Sequence, residues 1–447
     1  MNIKLKALKK GYILPDHKYG SLSSTKIHLL PPVRFVEIIL DQHCGSALKP
    51  TVAVGDYVSI GTKIADSDDP ESAPLHSSVS GRVGEIRPNS ICIESDESDR
   101  IDASIRIRSE VPKDEEAIIE LIRQAGIIDL GGSSIPTHVQ IKRAREKKIH
   151  TLIINGCESE PFLTSDHTLM LNQPVEVLKG VEILRVVCGA ENAVIVAERN
   201  KLEVIEILNS KNYNLKFDRV KTAVLPVRYP QGSERVLAES HLGKALLKNE
   251  TSLDHGVFVQ NVATAFAVYE AVYLGKPLYE RVVTIGGPCV FEPKNVWVRN
   301  GVRVSDLVRS AKGFLRDPQR LVLGGPMTGE AIAHLDTPIT KKVSGVLALS
   351  KDLAPQGNEQ PCIRCGLCVD VCPESLVPET LMRAVKKRKY DLAREFEIDA
   401  CTECGLCAYV CPSRIPLVRL IRAGKSRSVA LPTKDERDYA VSRQAQI

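Results

Sequence analysis

Eight of the thirteen cysteines lie between residues 362 and 411, where they form two copies of one motif. Each copy has the spacing C-x2-C-x2-C-x3-C followed by proline, which is the spacing of ligands to cubane [4Fe–4S] clusters. In such pairs the fourth cysteine of each copy binds the opposite cluster. The predicted ligand sets are Cys362, Cys365, Cys368 and Cys411 for one cluster, and Cys401, Cys404, Cys407 and Cys372 for the other.

Structural zinc is the alternative that uses the same residue type. Zinc sites take four ligands, commonly from two separated C-x2-C pairs. Eight cysteines in a doubled ferredoxin pattern favour iron–sulfur clusters instead. Two such clusters side by side would pass one electron at a time. The motif therefore predicts an electron carrier or a part of an electron-transfer chain.

The rest of the composition is typical of a globular protein with several domains. The chain has 447 residues, of which 43% are hydrophobic and 26% charged, so about three domains are expected. A net charge of +5 and an aromatic content of 4% do not favour a nucleic-acid partner. No apolar run approaches the roughly 18 residues that cross a bilayer. The odd number of cysteines argues against a disulfide framework. Together with the lack of a long apolar run, this leads us to expect a cytoplasmic protein.

The segments before the cysteine motifs predict a β part followed by an α/β part. Residues 49–105 alternate apolar and polar side chains between glycine turns, which indicates a small β domain. From Asp114, which can cap a helix, helical patterns alternate with buried-strand runs such as TLIINGC. This alternation indicates a parallel α/β layer. The segment 257–274 is predicted as one helix, and residues 281–350 return to strands.

Four segments of the α/β part could together bind a nucleotide. A loop of small residues with Gly131 and Gly132 lets backbone N–H groups approach a phosphate or a ring. A second segment follows a predicted strand, at the carboxyl edge where α/β sheets bind ligands. The further candidates are Asn155, Glu158, Glu160 and Asp166 after that strand, Tyr229, Gly232 and Glu234 in RYPQGSE, and Asn261 and Thr264 in QNVAT.

These four segments and the doubled cysteine motif together resemble the C subunit of the Rnf complex, the ion-translocating ferredoxin:NAD oxidoreductase of bacteria. The resemblance covers nearly the whole chain and implies a multidomain α/β plus β fold. The implied domains are a biotinyl-like barrel-sandwich domain (1–110), a Rossmann-like FMN- and NADH-binding domain (111–250), a helix plus a β-grasp (SLBB) domain (251–350), a helical two-cluster ferredoxin-like domain (355–425) and a basic tail (426–447).

The resemblance also implies the cofactors, which are two [4Fe–4S] clusters and FMN, with NAD(H) as substrate. The ESEP segment, residues 158–161, matches the complex I flavoprotein. The implied roles are flavin contacts for Asn155 and Asp166, a loop near the nicotinamide for Tyr229, Gly232 and Glu234, and a helix start beside the flavin phosphate and ribityl chain for Asn261 and Thr264.

The loop of small residues departs from the family pattern, which is a glycine, any residue and then GGAGFPT. Asp129 replaces the first glycine, Ser133 the alanine, Ser134 the last glycine and Ile135 the phenylalanine. Gln140 stands where a phosphate-binding lysine is expected. We therefore expect FMN to bind weakly.

The function implied by the resemblance is that of an electron-transfer oxidoreductase subunit. It would lie at the cytoplasmic face of the cell membrane as a peripheral subunit, with a ferredoxin-like B subunit and membrane subunits as partners. A flavin is needed because a hydride carries two electrons and each cluster accepts one. Two alternatives remain open, a cobalamin reductase of a microcompartment and a two-cluster relay with a degenerate flavin site.

Overall fold

The computed structural model describes residues 5–6, 11–22, 25–108, 110–247, 250–354 and 357–429. The predicted basic tail lies outside the described residues from position 430 onward. The chain divides into two compact units. Among the described residues, those within 1–7, 15–227 and 231–354 form the large unit, and those within 8–14, 228–230 and 355–447 form the cysteine-rich unit.

The large unit begins with a short N-terminal segment and a small β domain. Its elements are α1 (Tyr19–Leu22), β1 (Ile27–Leu29), β2 (Phe35–Ile39), β3 (Lys49–Pro50), β4 (Tyr57–Val58), β5 (Lys63–Asp66), β6 (Leu75–His76), β7 (Gly81–Arg87) and β8 (Ser90–Ser95). Strands β2 to β8 form two sheets, of strand order β2-β8-β7-β4 and β3-β5-β6. Val36 and Ile38 of β2 lie opposite Ile93 and Ile91 of β8, and all four are fully buried. Strands β3 to β8 lie within residues 49–105, where the alternation predicted a small β domain.

An α/β layer follows, and its strands are all parallel. Its elements are α2 (Glu115–Gln124), α3 (Thr137–Arg145), β9 (Thr151–Asn155), α4 (Ser165–Asn172), α5 (Pro174–Val187), β10 (Asn192–Glu198), α6 (Leu202–Leu215), β11 (Val220–Leu225), α7 (Glu234–Leu242), β12 (Val257–Asn261) and α8 (Val262–Tyr269). The sheet has the order β11-β10-β9-β12. Asp114 caps α2, since its carboxylate accepts hydrogen bonds from the backbone N–H groups of Glu116 and Ala117.

The prediction of a single helix over 257–274 is wrong. Its first five residues form β12, which pairs with β9, and only then does α8 begin. A π-helical turn, Glu270–Leu274, completes the segment before Gly275. The run is mostly apolar, and a mostly apolar run does not distinguish a buried strand from a buried helix.

A six-stranded mixed sheet completes the large unit. Its later elements are β13 (Glu280–Gly286), β14 (Lys294–Arg299), α9 (Val304–Ser310), β15 (Arg320–Leu323), β16 (Glu330–Ile332) and β17 (Gly345–Leu349). The strand order is β1-β14-β13-β17-β15-β16, so the N-terminal strand β1 forms one edge. Val283 and Val296 of this sheet share one hydrophobic core with Val36 and Ile38 of the small β domain. The domain boundaries at residues 110, 250 and 350 remain predictions.

The cysteine-rich unit is helical. Its helices are α10 (Leu367–Asp370), α11 (Pro378–Lys386), α12 (Tyr390–Glu395), α13 (Leu406–Tyr409) and α14 (Leu417–Val429). The spacer between the two motifs contains α11 and α12, as its apolar pattern predicted. Leu381, Met382, Ala384 and Val385 are buried on the inner side of α11. Among the described residues, no helix has both the length and the apolar character needed to span a membrane.

Candidate functional site

Two neighbouring parallel strands end side by side and place two asparagines at the carboxyl edge of the α/β sheet. β9 and β12 pair in register, so Asn155 lies beside Asn261. Asn261 caps α8, because its Oδ1 accepts a hydrogen bond from the backbone N–H of Ala263 at 2.8 Å. Its Nδ2 donates to Oδ2 of Asp166 at 2.8 Å. The sheet thus brings Asn155, Asp166 and Asn261 to one edge.

Glu158 serves as the cap of α4. Its carboxylate accepts hydrogen bonds from the backbone N–H groups of Asp166 at 2.8 Å and His167 at 3.2 Å, and from Ser165 Oγ at 3.2 Å. A negative charge is stabilised at this end of a helix by the helix dipole. Burial, together with the charge of Glu158, raises the pKa of Asp166. Asp166 can therefore hold a proton at a pH at which an exposed aspartate is ionised.

Glu160 joins the loop after β9 to the six-stranded sheet. Its carboxylate accepts hydrogen bonds from the backbone N–H groups of Met327 and Thr328, both at 3.0 Å, and from Thr328 Oγ1 at 2.5 Å. A Cβ on Gly325 would lie 2.3 Å from Oε2 of Glu160, so a side chain there would displace the Glu160 carboxylate from this position. Both carboxylates of the ESEP segment are thus bonded to the chain itself.

Lys18 is a residue of this region that the sequence patterns did not reveal. Its Nζ donates hydrogen bonds to three backbone carbonyl oxygens of the loop after β9, those of Glu158 at 2.7 Å, Glu160 at 3.0 Å and Leu163 at 2.5 Å. The side chain is buried. A lysine is rarely buried without a partner, and here the carbonyl groups of the loop are its partners. Lys18 therefore fixes the path of the loop.

Two further buried cations lie in the same region. Lys201 Nζ donates to the carbonyl oxygen of Cys157 at 2.7 Å. Arg281 Nη1 donates to the carbonyl oxygen of Lys341 at 2.8 Å. Burial lowers the pKa of Arg281, and the charge of Asp166 is the largest effect opposing that decrease. These cations offset part of the negative charge that the candidate carboxylates bring to the sheet edge.

The loop of small residues is closed on itself by a carboxylate. Asp129 Oδ1 accepts a hydrogen bond from the N–H of Gly131 at 3.0 Å, and its Oδ2 accepts from the N–H and the hydroxyl of Ser133 at 3.1 Å and 2.6 Å. The N–H of Leu130 donates to Thr264 Oγ1 at 2.9 Å. Backbone N–H groups that such a loop could offer to a phosphate are therefore bonded to side chains of the chain itself.

Backbone geometry explains the glycines of this loop. A Cβ on Gly131 would lie 3.0 Å from Cβ of Asn261, so the loop passes close to the start of α8. Gly132 has φ +125° and no atom within 4 Å of its added Cβ, and it is exposed. Ser134 also has a left-handed conformation, with φ +57°, which a serine adopts less readily than a glycine.

The RYPQGSE segment contributes one backbone contact to the sheet edge. Asn155 Nδ2 donates to the carbonyl oxygen of Gly232 at 2.8 Å. Glu234 begins α7, and its Oε1 accepts a hydrogen bond from Ser252 Oγ at 2.5 Å. Tyr229 belongs to the cysteine-rich unit, where its hydroxyl donates to the carbonyl oxygen of Cys404 at 2.7 Å.

The hydrogen bonding of two glutamines indicates how well this region could bind an anionic cofactor. Gln140, at the position where a cation was expected, accepts a hydrogen bond from Gln260 Nε2 at 2.8 Å. Gln231 is fully buried, and neither its Oε1 nor its Nε2 has a hydrogen-bond partner among the described residues. A buried amide without a partner is costly, so Gln231 is a group that a bound ligand could satisfy. The unpartnered amide of Gln231 fits a site for a nucleotide, whereas Asp129 already accepts hydrogen bonds from the N–H groups of Gly131 and Ser133, which a phosphate could otherwise use.

The eight motif cysteines line two cavities in the cysteine-rich unit. Cys362, Cys365, Cys368 and Cys411 line a cavity of about 290 Å³, and Cys372, Cys401, Cys404 and Cys407 line a narrower one. Each cavity thus gathers three cysteines of one motif and the fourth cysteine of the other. Among the residues that the structure describes, no three His, Cys, Asp or Glu side chains are close enough to share one metal ion. Four thiols around a cavity fit a cubane cluster in donor type and number, and the ligand sets remain a prediction.

The backbone has the same conformation and hydrogen bonds at corresponding positions of the two motifs. The N–H of Arg364 donates to Cys362 Sγ and the N–H of Glu403 donates to Cys401 Sγ, both at 3.4 Å. Gly366 has φ +82° and Gly405 has φ +86°, in the left-handed region that favours glycine. The chain therefore wraps both triplets of thiols by the same turns.

Comparisons with known proteins identify the family of the chain. Family models match as the RnfC barrel sandwich hybrid domain over residues 6–107, the Nuo51 FMN-binding domain over 122–270 and a 4Fe-4S dicluster domain over 361–415. The C subunit of the proton-translocating ferredoxin:NAD(+) oxidoreductase complex of Clostridium ljungdahlii is 35% identical over 86% of this chain and 86% of its own length. This chain belongs to the family of Rnf C subunits.

Other Rnf C subunits show similar coverage. The C subunit of the Na(+)-translocating ferredoxin:NAD(+) oxidoreductase complex of Acetobacterium woodii is 34% identical over 88% of this chain and 90% of its own length. The C subunit of the ion-translocating oxidoreductase complex of Rhodobacter capsulatus is 35% identical over 83% and 73%. The predicted resemblance, the fold class and the FMN and dicluster domains are confirmed. The individual flavin-site residues remain predictions.

Proposed function

We propose that this Rnf C subunit passes electrons between NAD(H), FMN and two [4Fe–4S] clusters within a membrane-bound, ion-translocating ferredoxin:NAD(+) oxidoreductase complex. The subunit would be peripheral, on the cytoplasmic face, with a ferredoxin-like B subunit and membrane subunits as partners. The observation that carries the proposal is the presence, in one family member, of an FMN-binding α/β layer and two cavities with four thiols each.

The residues of the sheet edge would hold and orient the flavin. FMN, when bound, accepts a hydride from NADH and releases electrons singly. Asn155 and Asn261 present amides from the ends of adjacent strands. Gly131 and Gly132 are exposed, so a ligand can approach the loop from their side. Asp166 can keep a proton on its carboxylate, because burial and the charge of Glu158 raise its pKa.

The thiols of the cysteine-rich unit would hold the two clusters in unequal surroundings. Cys372 and Cys407, in the narrower cavity, are buried, whereas Cys362 and Cys365 are exposed. Tyr229, from RYPQGSE, donates its hydroxyl proton to the carbonyl oxygen of Cys404, a residue of the narrower cavity. The cluster in the narrower cavity would thus be more shielded from water than the other.

A flavin titration tests the first half of the proposal. The protein free of flavin is titrated with FMN, followed by flavin fluorescence, as wild type and as the Gln140→Lys and Asp129→Gly variants. A charge-assisted contact contributes roughly 1.5–3 kcal/mol, so a gained cation should tighten FMN binding about ten- to a hundredfold. Asp129→Gly frees the loop N–H groups and should also tighten binding. Gln319→Lys, at an exposed position, is the matched control and should change nothing.

The same titration decides between the proposal and its runner-up. NADH should reduce the clusters only after FMN is added. A two-cluster relay with a degenerate flavin site is the second candidate, and the occupied N–H groups of Gly131 and Ser133 favour it. Absence of FMN binding in the wild type and in both variants would decide for the relay.

A matched pair of cysteine variants tests the clusters. Anaerobically purified protein should contain about eight irons and as much acid-labile sulfide per chain. Cys372→Ala should remove the EPR signal of the cluster in the narrower cavity, and Cys411→Ala that of the other, because the ligands cross between motifs. Stoichiometric zinc without sulfide would exclude the clusters.

Cell fractionation tests the location. Membranes from cells that lack the integral partner subunits should lose the protein, because the proposal attaches it through those subunits. Retention on those membranes would contradict attachment through partners. Recovery with microcompartments instead would favour the cobalamin reductase.

A further inference from the structure

The two cysteine motifs form an internal repeat with an offset of 39 residues, so that Cys362 of the first motif corresponds to Cys401 of the second. Residues next to the cysteines of the first motif can therefore be compared with those at the corresponding positions of the second. Leu367 corresponds to Leu406, which is fully buried, whereas 43% of Leu367 is exposed. Ile363 is 67% exposed, and a threonine stands at its counterpart position. The motif itself therefore does not require exposed aliphatic side chains. Such exposed apolar groups around a cavity indicate a contact surface.

One position beside the two cavities also has opposite charge in the two halves. In the second half, Glu403 forms ion pairs with Arg422 at 2.5 Å and Lys425 at 3.5 Å. The counterpart of Glu403 in the first half is Arg364, which lines the larger cavity together with Arg383. Arg383 corresponds to Arg422, so a cation is present at this position in both halves. At the position of Glu403, however, the first half has a second cation, Arg364.

The carboxylates near this surface neutralise it only in part. Arg383 pairs with Glu379 of its own helix at 3.3 Å, and Lys386 pairs with Glu359. Lys387, Arg388 and Lys389 continue the chain beyond α11 as exposed cations. The surface around the exposed thiols therefore carries the apolar groups Ile363 and Leu367 and the cations Arg364 and Arg383. Its nearby carboxylates are Glu379, which pairs with Arg383, and the exposed Asp370 at the end of α10.

We propose that Ile363, Arg364, Leu367 and Arg383, here named the first-motif face, dock an electron-carrier protein or subunit that presents carboxylates around its own redox group. The inference rests on the proposed function and adds the partner's chemistry to it. Complementary charge steers such encounters and raises their association rates. A second copy of this chain would bring like charges together, because its own face is positive.

Binding of an acidic probe tests the first-motif face. Full-length, cluster-loaded protein is mixed with a small bacterial ferredoxin of net negative charge, and the Kd is measured anaerobically by thermophoresis at 20, 100 and 300 mM salt. We expect affinity to fall steeply with salt, as it does for exposed charge pairs. Arg364→Glu and Ile363→Thr introduce the residue types that stand at the corresponding positions of the second motif. Arg364→Glu should weaken binding at least tenfold, and Ile363→Thr severalfold. Arg316→Glu, at an exposed position of the large unit, makes the same charge change and should not.

Each other outcome overturns the docking inference. Unchanged affinity in both Arg364→Glu and Ile363→Thr would do so. Binding to phosphatidylglycerol vesicles in place of ferredoxin would assign the face to lipid, and self-association lost in Ile363→Thr would assign it to a second copy. Iron and sulfide are measured in every variant, so that a lost cluster is not taken for lost docking. NADH reduction of the clusters, assayed without ferredoxin, reports on the proposed function separately.

Discussion

Replacing Lys18 by methionine tests whether a buried ammonium group holds the loop after β9. In the wild type, Lys18 Nζ donates hydrogen bonds to the carbonyl oxygens of Glu158, Glu160 and Leu163. Methionine has a similar length and no donor, so the variant leaves those three carbonyl groups without this partner. Removing one member of a buried charged network typically costs about 3–5 kcal/mol.

Burying the positive charge of Lys18 lowers the free energy of unfolding, and this effect makes the stability of the protein depend on pH. Burial, with the nearby charge of Lys201, lowers its pKa from 10.5 to about 8, a shift worth about 3 kcal/mol against folding below pH 8. Subtracting this cost from the gain of about 3–5 kcal/mol leaves a net destabilisation by Lys18→Met of about 0–2 kcal/mol at pH 7, which should grow as the pH rises. Between pH 8 and 10.5 the unfolded chain binds more protons at Lys18 than the folded chain. Wild-type stability therefore rises with pH in this window, and the variant should lack that contribution.

Urea unfolding at pH 7 and pH 9.5 measures the two free energies, and hydrogen exchange of peptides spanning residues 157–167 reports on the loop itself. Lys312→Met is the control, because the Lys312 side chain is 66% exposed, and it should change stability by less than about 0.5 kcal/mol. Equal stability and equal exchange in wild type and Lys18→Met would refute the reasoning. So would a destabilisation that shrinks as the pH rises.

Three further substitutions address other parts of the large unit. Lys341→Met should flatten the rise of the unfolding free energy between pH 7 and pH 10.5, because burial lowers the Lys341 pKa from 10.5 to about 7; urea titrations at pH 7 and 9 measure it. Ser134→Gly should raise the unfolding free energy by roughly 1 kcal/mol, since Ser134 has φ +57°, and the same titration at one pH suffices. Gly180→Ala should lower the melting temperature sharply or prevent folding, because its Cβ would lie 1.8 Å from a carbonyl oxygen of α8; Val186→Ala, at an exposed position of the same helix, should be tolerated.

Local patterns in the sequence predicted the features that depend on neighbouring residues. Asp114 was recognised as a helix cap, and the fourfold spacing of the cysteines predicted which thiols line each cavity together. The strand at residues 257–261 was missed because its apolar run has no period of its own. Lys18 was missed for a different reason. It lies about 140 residues from the carbonyl groups it binds, and no local pattern records such a contact.

The glycine-rich loop shows how separate departures from a family pattern can form one structure. In the sequence, Asp129 and Ser133 are two substitutions that each weaken a phosphate site. In the structure they bond to each other at 2.6 Å, and Asp129 also accepts from the N–H of Gly131. The Asp129 carboxylate thus takes the place that the anionic group of a ligand could take in this loop. If Asp129 is the competitor of the FMN phosphate, its removal should tighten FMN binding. Ser133→Ala leaves that carboxylate in place and should not.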